Sequence, residues 1–443
     1  MEVDLTYIND RRVAQIALPM MLSNITVPLL GFFDTAVIGQ LGEPELIAAL
    51  GLGSILISTL YWLCGFLRMG TTGLTAQAKG EDNKLEVVQI LIRGLFIGVL
   101  LGILILLISL PVFRIFFLIS PAEPSVEALA LTYVEIRVFS APIAIANITL
   151  IGWLIAMERA FRVFFIQFFV NILNLSLSML LVLTWEYGIE GVAYATLISE
   201  VCGFFLSLIL CRNVIDYRSN FTVNGIFNAA KWMNLFSINF NIFLRSLLLE
   251  MVFLSFLFWG ASFGTLVQAA NQILIQFLHI FSYSLDGFAF AAEVLVGISY
   301  GRKKLNDLRK SVLLCTRWAA IIAFGLSLLV FLFGSVFIDL MTTSVEVVKI
   351  ANEYIIWIIL APTISFLAYI MDGVFLGSTH TIAMRKAMLI ATVFYFSIAI
   401  IFSSVYQNHG LWLSLSLFLI ARALTLFYFY PNIERSVSAI RYS

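Results

Sequence analysis

Asp34 is a lone carboxylate in the apolar run LPMMLSNITVPLLGFFDTAVIGQLG, residues 18–42. A charge in such a run is costly if the run crosses a membrane, which makes it a functional hypothesis by default. Further along, Asn171, Asn174 and Ser178 are spaced three and four apart, so a helix places them on one face. Tyr133 and Thr196 are polar positions in two further apolar runs. A carboxylate among hydroxyls and amides can take up and release a proton or bind a small cation. Protonation removes its charge and turns an acceptor into a donor. A second set, Arg245, Glu250, Asp286, Glu293 and Asp372, lies in the other half of the chain. Arg245 and Glu250 are five apart and poorly placed for each other, while Arg422 has no evident partner. Asp286 and Asp372, with Arg68 and Arg317 at similar depth, are expected to form a charge network near the inner end. The bland alternatives are a solvated helix end for Asp34, helix packing for Asn174 and Ser178, and structural ion pairing for the second set.

No nucleophile–base constellation is evident, so an enzyme is not expected. ATP drive is not expected either, because Lys79-Gly80 lacks the spacing of a phosphate-binding loop. The three histidines neighbour no cysteine or other histidine, which gives no basis for a metal site. Cys64, Cys202, Cys211 and Cys315 lie in or near apolar stretches and read as buried thiols. No cofactor is expected beyond the coupling ion, H+ or Na+.

The elements that position these groups follow from composition. Of 443 residues, 61% are hydrophobic and only 12% charged, and the mean hydropathy is +1.01. A soluble domain has about twice that share of charge, so most of this surface must face lipid. A net charge of +0 gives no reason to expect nucleic acid. Spans are expected at 13–38, 45–78, 87–117, 124–156, 160–185, 188–211, 228–259, 264–299, 308–338, 345–377, 384–404 and 410–430, twelve in all. The start, MEVDLTYINDRR, is polar and acidic and does not resemble a cleavable leader.

Arg and Lys fix the orientation. One set of connections holds nineteen of them, including Arg11, Arg12, Lys79, Arg159, Arg218, Arg302 and Arg435, against Arg114 and Lys349 in the opposite set. Both termini are therefore expected in the cytoplasm. Ser178, Thr196 and Tyr133 then lie about seven to nine residues from the outer ends of their spans, in the same layer as Asp34. Glu250 falls at that depth in the other half.

A repeat of about 220 residues is visible and matches the pattern of parallel-repeat transporters. YVEIRVFSAP (133–142) pairs with YIIWIILAP (354–362), KGEDNKLEVV with YGRKKLNDLRK, and Leu46–Ala49 with Leu266–Ala269. The fold class expected is all-α integral membrane, with two six-helix lobes at 1–211 and 229–443 and a cytoplasmic linker at 212–228. The repeat partner of Asp34 is Leu254, so the carboxylate belongs to one half only.

At this point the chain resembles the multidrug and toxic compound extrusion (MATE) family, in its DinF-like bacterial branch. The resemblance covers nearly the whole chain. It rests on residues 18–42, FLRMGTTGLTAQAKG (66–80), IGWLIAMERA (151–160), GVAYATLISE (191–200), SYSLDGFAFAAE (282–293) and MDGVFLGST (371–379). It implies export of amphiphilic, usually cationic compounds in exchange for H+ or Na+. In the family pattern Asp34, Tyr133, Asn174 and Thr196 match polar positions of the N-lobe cavity. Pro19 matches the proline at which the first helix bends; a proline within a span permits a kink. Glu250 matches a cation-binding glutamate of another branch. Many relatives carry an aspartate where this chain has Ser178. Without that second carboxylate the Na+ case weakens and proton coupling is expected. The partners expected are small amphiphilic substrates and membrane lipid, the working unit a monomer, and the location a bacterial inner membrane. The competing readings are Na+-coupled antiport and a lipid-intermediate flippase of related plan, for which Arg68, Arg137 and Arg245 would serve. A channel or receptor fits the two-lobe repeat poorly.

Overall fold

A computed structural model describes residues 7–119, 122–212, 214 and 223–440. The linker expected at 212–228 lies largely outside the described residues. The described residues form helices joined by short turns, with no strand among them. In chain order the helices are α1 (Asp10–Gly39), α2 (Pro44–Leu63), α3 (Phe66–Gly80), α4 (Lys84–Ile119), α5 (Pro124–Arg137), α6 (Ala141–Ala156) and α7 (Ala160–Ser178). They continue as α8 (Gly188–Arg212), α9 (Val223–Ile226), α10 (Ala229–Ala261), α11 (Thr265–Gly301), α12 (Leu305–Met341), α13 (Val345–Gly377) and α14 (Thr381–Ile440).

Local sequence explains many of the boundaries. α2 and α5 each open on a proline, whose missing N–H costs nothing in a first turn. α13 is capped by Ser344, whose hydroxyl accepts from the Val347 N–H at 3.4 Å. α2 with α3 makes one crossing, Pro44–Gly80, and α5 with α6 makes another, Pro124–Ala156. The latter passes through a 3-10 turn at Val138–Ser140, just before Pro142. α7 runs on into a π-helical turn, Met179–Thr184, directly after Ser178.

Among the described residues, eleven helices are long and apolar enough to cross a membrane. The last of them, Thr381–Ser438, has 58 residues. At 1.5 Å per residue it is nearly three times the roughly 30 Å hydrocarbon core, so it serves two crossings. The break is a single residue, Gln407, with φ 51° and ψ −128°. It replaces the longer outer loop SVYQNHG expected from the sequence, and the count of twelve spans stands.

The backbone displays the repeat directly. Asp82, Glu158 and Glu186 have positive φ, and so do Lys303, Thr379 and Gln407, each 221 positions after its counterpart. Side chains other than glycine rarely adopt this conformation, so three matched pairs mark the same turns used twice. Gln407 is thus the counterpart of the turn between α7 and α8.

Two compact units divide the chain. One contains Leu22–Thr75 and Asp82–Leu235; the other contains residues up to Met21, Ala76–Glu81 and everything from Phe236 on. The first unit holds the N-lobe polar groups. In it, Gly94, Gly98 and Gly102 form a stripe on α4 that admits α6. A Cβ on Gly98 would lie 2.8 Å from the Ala146 Cα, and one on Gly102 2.3 Å from the Pro142 Cα. Small residues at every fourth position are how membrane helices approach without a water-driven force. In the second unit α11 and α13 meet as closely, since a Cβ on Gly373 would lie 2.2 Å from the Ala289 carbonyl oxygen. The outward faces of α4 and α12 carry Leu100, Leu104, Leu107, Phe324, Leu328 and Phe331, all exposed and suited to lipid.

Candidate functional site

Asp34 sits five residues before the end of α1 yet is only 6% exposed. It is a buried carboxylate and not a solvated helix end. Ser178 donates from Oγ to Asp34 Oδ1 at 3.1 Å, joining α7 to α1. One turn along α7, Asn174 donates from Nδ2 to the Thr196 hydroxyl of α8 at 2.9 Å. Asn171 donates to the Thr26 carbonyl of α1 at 2.9 Å. The three α7 residues therefore share one buried face, as their spacing requires, and tie α7 to both neighbours. The Oδ1 atoms of Asn171 and Asn174 are buried and accept no hydrogen bond.

Not every polar group of this layer reaches Asp34. Asn174 and Thr196 bond each other and not the carboxylate; Ser178 reaches it. Tyr133 faces α2, where its hydroxyl accepts from Ser54 at 3.3 Å and its ring fills the place of a side chain at Gly53.

Sequence reasoning missed an ion pair of this unit. Arg137 and Glu200 form a two-pronged ion pair, with N–O distances of 2.8 and 2.9 Å. Arg137 also donates to Ser140 at 3.1 Å, and Tyr61 bonds the Arg137 carbonyl and the Ser140 hydroxyl. Arg137 follows Tyr133 by one turn on α5, and Glu200 follows Thr196 by one turn on α8. The depth comparison that grouped Tyr133 with Thr196 would have paired these two as well.

In the other unit, Asp372 is held by both Arg245 and Arg422, all three buried. This supplies the partner that Arg422 lacked, and it explains why Arg245 does not turn to Glu250. Asp286 adds its charge to the cluster, acting on both arginines. Arg317, expected in this network, is engaged elsewhere. It pairs with Asp10, which also accepts from Trp318 at 2.7 Å. Depth along a span fixes height but not the direction in which a side chain points. Glu250 is half-buried in α10, and no described residue bonds it. Glu293 is 1% exposed, on the α11 turn whose carbonyl would touch a Cβ at Gly377. Pro19 lies inside α1, two residues before the point where the chain passes from one compact unit to the other.

A repeated set of long apolar helices with ionisable groups buried among them is the architecture of a polytopic membrane protein. The MatE family model matches twice, at 19–180 and 242–404, once in each half, and the chain belongs to that family. The DNA damage-inducible protein F of Escherichia coli (strain K12) is 35% identical over 422 residues, 94% of this chain and 91% of the relative. A probable multidrug resistance protein NorM of Bacillus cereus is 22% identical, covering 81% of this chain and 80% of that protein. The fold is shared with the Vibrio cholerae MATE transporter VcmN in its bent form. That likeness has a TM-score of 0.84 at 19% identity, over 97% of this chain and 98% of that one.

Proposed function

We propose that this MATE transporter exports amphiphilic, often cationic compounds in exchange for protons, with Asp34 as the coupling group. The observation that carries the reading is a buried carboxylate whose hydrogen-bond partner is a neutral hydroxyl, Ser178, and not a cation. Such a group has room to gain one proton, which alters both its charge and its hydrogen-bonding role. A cationic substrate and a proton then compete for the same unit, and competition across a membrane gives exchange. Pro19 supplies a point at which α1 can bend between the two conditions. Orientation with both termini in the cytoplasm of a bacterial inner membrane follows from the placement of Arg and Lys. The chain is taken to work as a monomer, without cofactor.

Na+ is the second reading, favoured by the two unengaged asparagine oxygens, Asn171 Oδ1 and Asn174 Oδ1. Against it stands the single carboxylate, since a bound cation wants compensating charge. A flippase for pyrophosphate lipids would need arginines open to an anion. Here Arg137 is engaged by Glu200, and Arg245 and Arg422 by Asp372.

The test is dye efflux from proteoliposomes of the purified protein. An imposed pH gradient in Na+-free buffer is expected to drive efflux. Efflux that follows a Na+ gradient and ignores pH would replace protons by Na+ as the coupling ion.

A further inference from the structure

The end of α3 and the end of α11 are the same element used twice. At the offset of 221 set by the matched turns, Ala76 corresponds to Gly297, Gln77 to Ile298 and Gly80 to Gly301. All six residues belong to one compact unit, and the counterparts meet each other. A Cβ on Gly297 would lie 2.7 Å from the Ala76 Cβ, so two equivalent positions touch. Beside them the contact is reciprocal. Gly80 lies against the Ile298 carbonyl oxygen and Gly301 against the Gln77 carbonyl oxygen, each too closely to admit a Cβ. Contacts of i with j and of j with i are what a two-fold axis produces. A local pseudo-two-fold axis therefore passes between α3 and α11 at Ala76 and Gly297. Three glycines and an alanine among the six positions let backbone meet backbone, as small residues do between membrane helices. Nothing the size of a substrate fits between these two helix ends.

One polar group crosses this seam, and it has no counterpart. Gln77 donates from Nε2 to the Gly377 carbonyl at 2.9 Å and to the Thr379 hydroxyl at 3.1 Å, at the end of α13. The equivalent residue of the second half, Ile298, has no side-chain donor. Lys79, Arg302, Lys303 and Lys304 stand at the same helix ends, which puts the seam on the cytoplasmic side.

We propose that the α3–α11 seam is the cytoplasmic gate of the transporter and that Gln77 is its latch. This rests on the export reading: an exporter loads from the cytoplasm, so a closure at that end has to part in each cycle. The seam suits that task. Its faces are mostly backbone and small residues, with little side chain to disentangle. Its latch is two neutral hydrogen bonds, which water replaces when the helix ends separate.

Two measurements test the proposal. The first uses protein with Cys64, Cys202, Cys211 and Cys315 changed to Ala, carrying Gln77→Cys with Thr379→Cys. A short reducible bis-thiosulfonate reagent joins the two thiols, and proteoliposome efflux is measured before joining, after joining and after reduction. The reference is Arg309→Cys with Glu434→Cys in the same background, which joins α12 to α14 outside the seam. Joining the first pair should lower efflux to that of protein-free vesicles, and reduction should restore it. Joining the reference pair should leave efflux unchanged. Undiminished efflux from the joined first pair, or equal block by the reference pair, overturns the gate. The second measurement needs no efflux. Ala76→Cys in the same background is labelled in inside-out vesicles by a membrane-impermeant maleimide, with and without Gln77→Ala. Loss of the latch should speed labelling on the order of tenfold, the worth of two neutral hydrogen bonds. An unchanged rate overturns the latch. If the unjoined proteins drive no efflux, the export reading fails, and labelling alone decides whether the seam opens and Gln77 holds it.

Discussion

The Ser178 hydroxyl donates to the Asp34 carboxylate across 3.1 Å, a contact between residues 144 positions apart in sequence. It joins α7 to α1 at the point where α7 changes into a π-helical turn. The carboxylate thus keeps one neutral donor and no counter-ion of its own. Replacing Ser178 by Ala removes a hydrogen bond that favours the charged carboxylate. The protonated form gains, so the outside pH that half-saturates efflux should rise. A hydrogen bond to a charged group contributes about 1.5–3 kcal/mol, which predicts a rise of roughly one pH unit or more. A pH–rate profile in proteoliposomes measures it. An unmoved or lowered midpoint would show that this contact does not act on the coupling group.

The same position governs ion choice. Ser178→Asp adds a second carboxylate beside Asp34 and near the free oxygens of Asn171 and Asn174. Efflux by this variant should become stimulated by Na+, while the wild type should run unchanged in Na+-free buffer. Side-by-side efflux assays with and without Na+ decide the matter, and a Na+-dependent wild type would reverse the assignment.

The cluster in the second unit should behave differently. Asp372 compensates two buried guanidinium groups, Arg245 and Arg422. Asp372→Ala leaves both buried without their carboxylate, a loss of about 3–5 kcal/mol. Purified protein should show a markedly lower melting temperature or fail to accumulate in the membrane. Asp34→Asn, which discharges a group without a counter-ion, should change melting little. Equal effects of the two substitutions would mean that Asp372 is not a structural keystone.

Topology offers an independent check. With both termini in the cytoplasm, a single cysteine placed in the 212–228 linker should stay unlabelled by a membrane-impermeant thiol reagent added to intact cells. It should label once the membrane is made permeable. Prompt labelling in intact cells would invert the orientation drawn from Arg and Lys.

Much of this fold was legible because membrane helices announce themselves by length and apolarity, and the repeat by matched loops. The turn at Gln407 is shorter than the polar stretch SVYQNHG suggests, because polar residues on either side of a one-residue break stay helical. The α7 face was legible too, since a spacing of three and four leaves the geometry little choice. Side-chain partners were harder. The spacing puts Asn174 and Thr196 at one height without showing that they bond each other, and nothing near Arg422 in the chain points to Asp372. Arg137 and Glu200 stand in sequence segments already singled out, yet they lie on two different helices, for which height is readable and azimuth is not.

The central claim is that one buried carboxylate, Asp34, couples efflux to protons. The direct measurement is gradient-driven dye efflux in proteoliposomes of purified Asp34→Asn protein, checked for intact folding by its melting curve. The amide keeps the shape and the hydrogen bond to Ser178 but cannot titrate. The expected result is a folded protein whose efflux no longer responds to an imposed pH gradient, with the rate reduced to that of protein-free vesicles. Wild-type efflux rates with an unchanged pH profile from that folded variant would contradict the account.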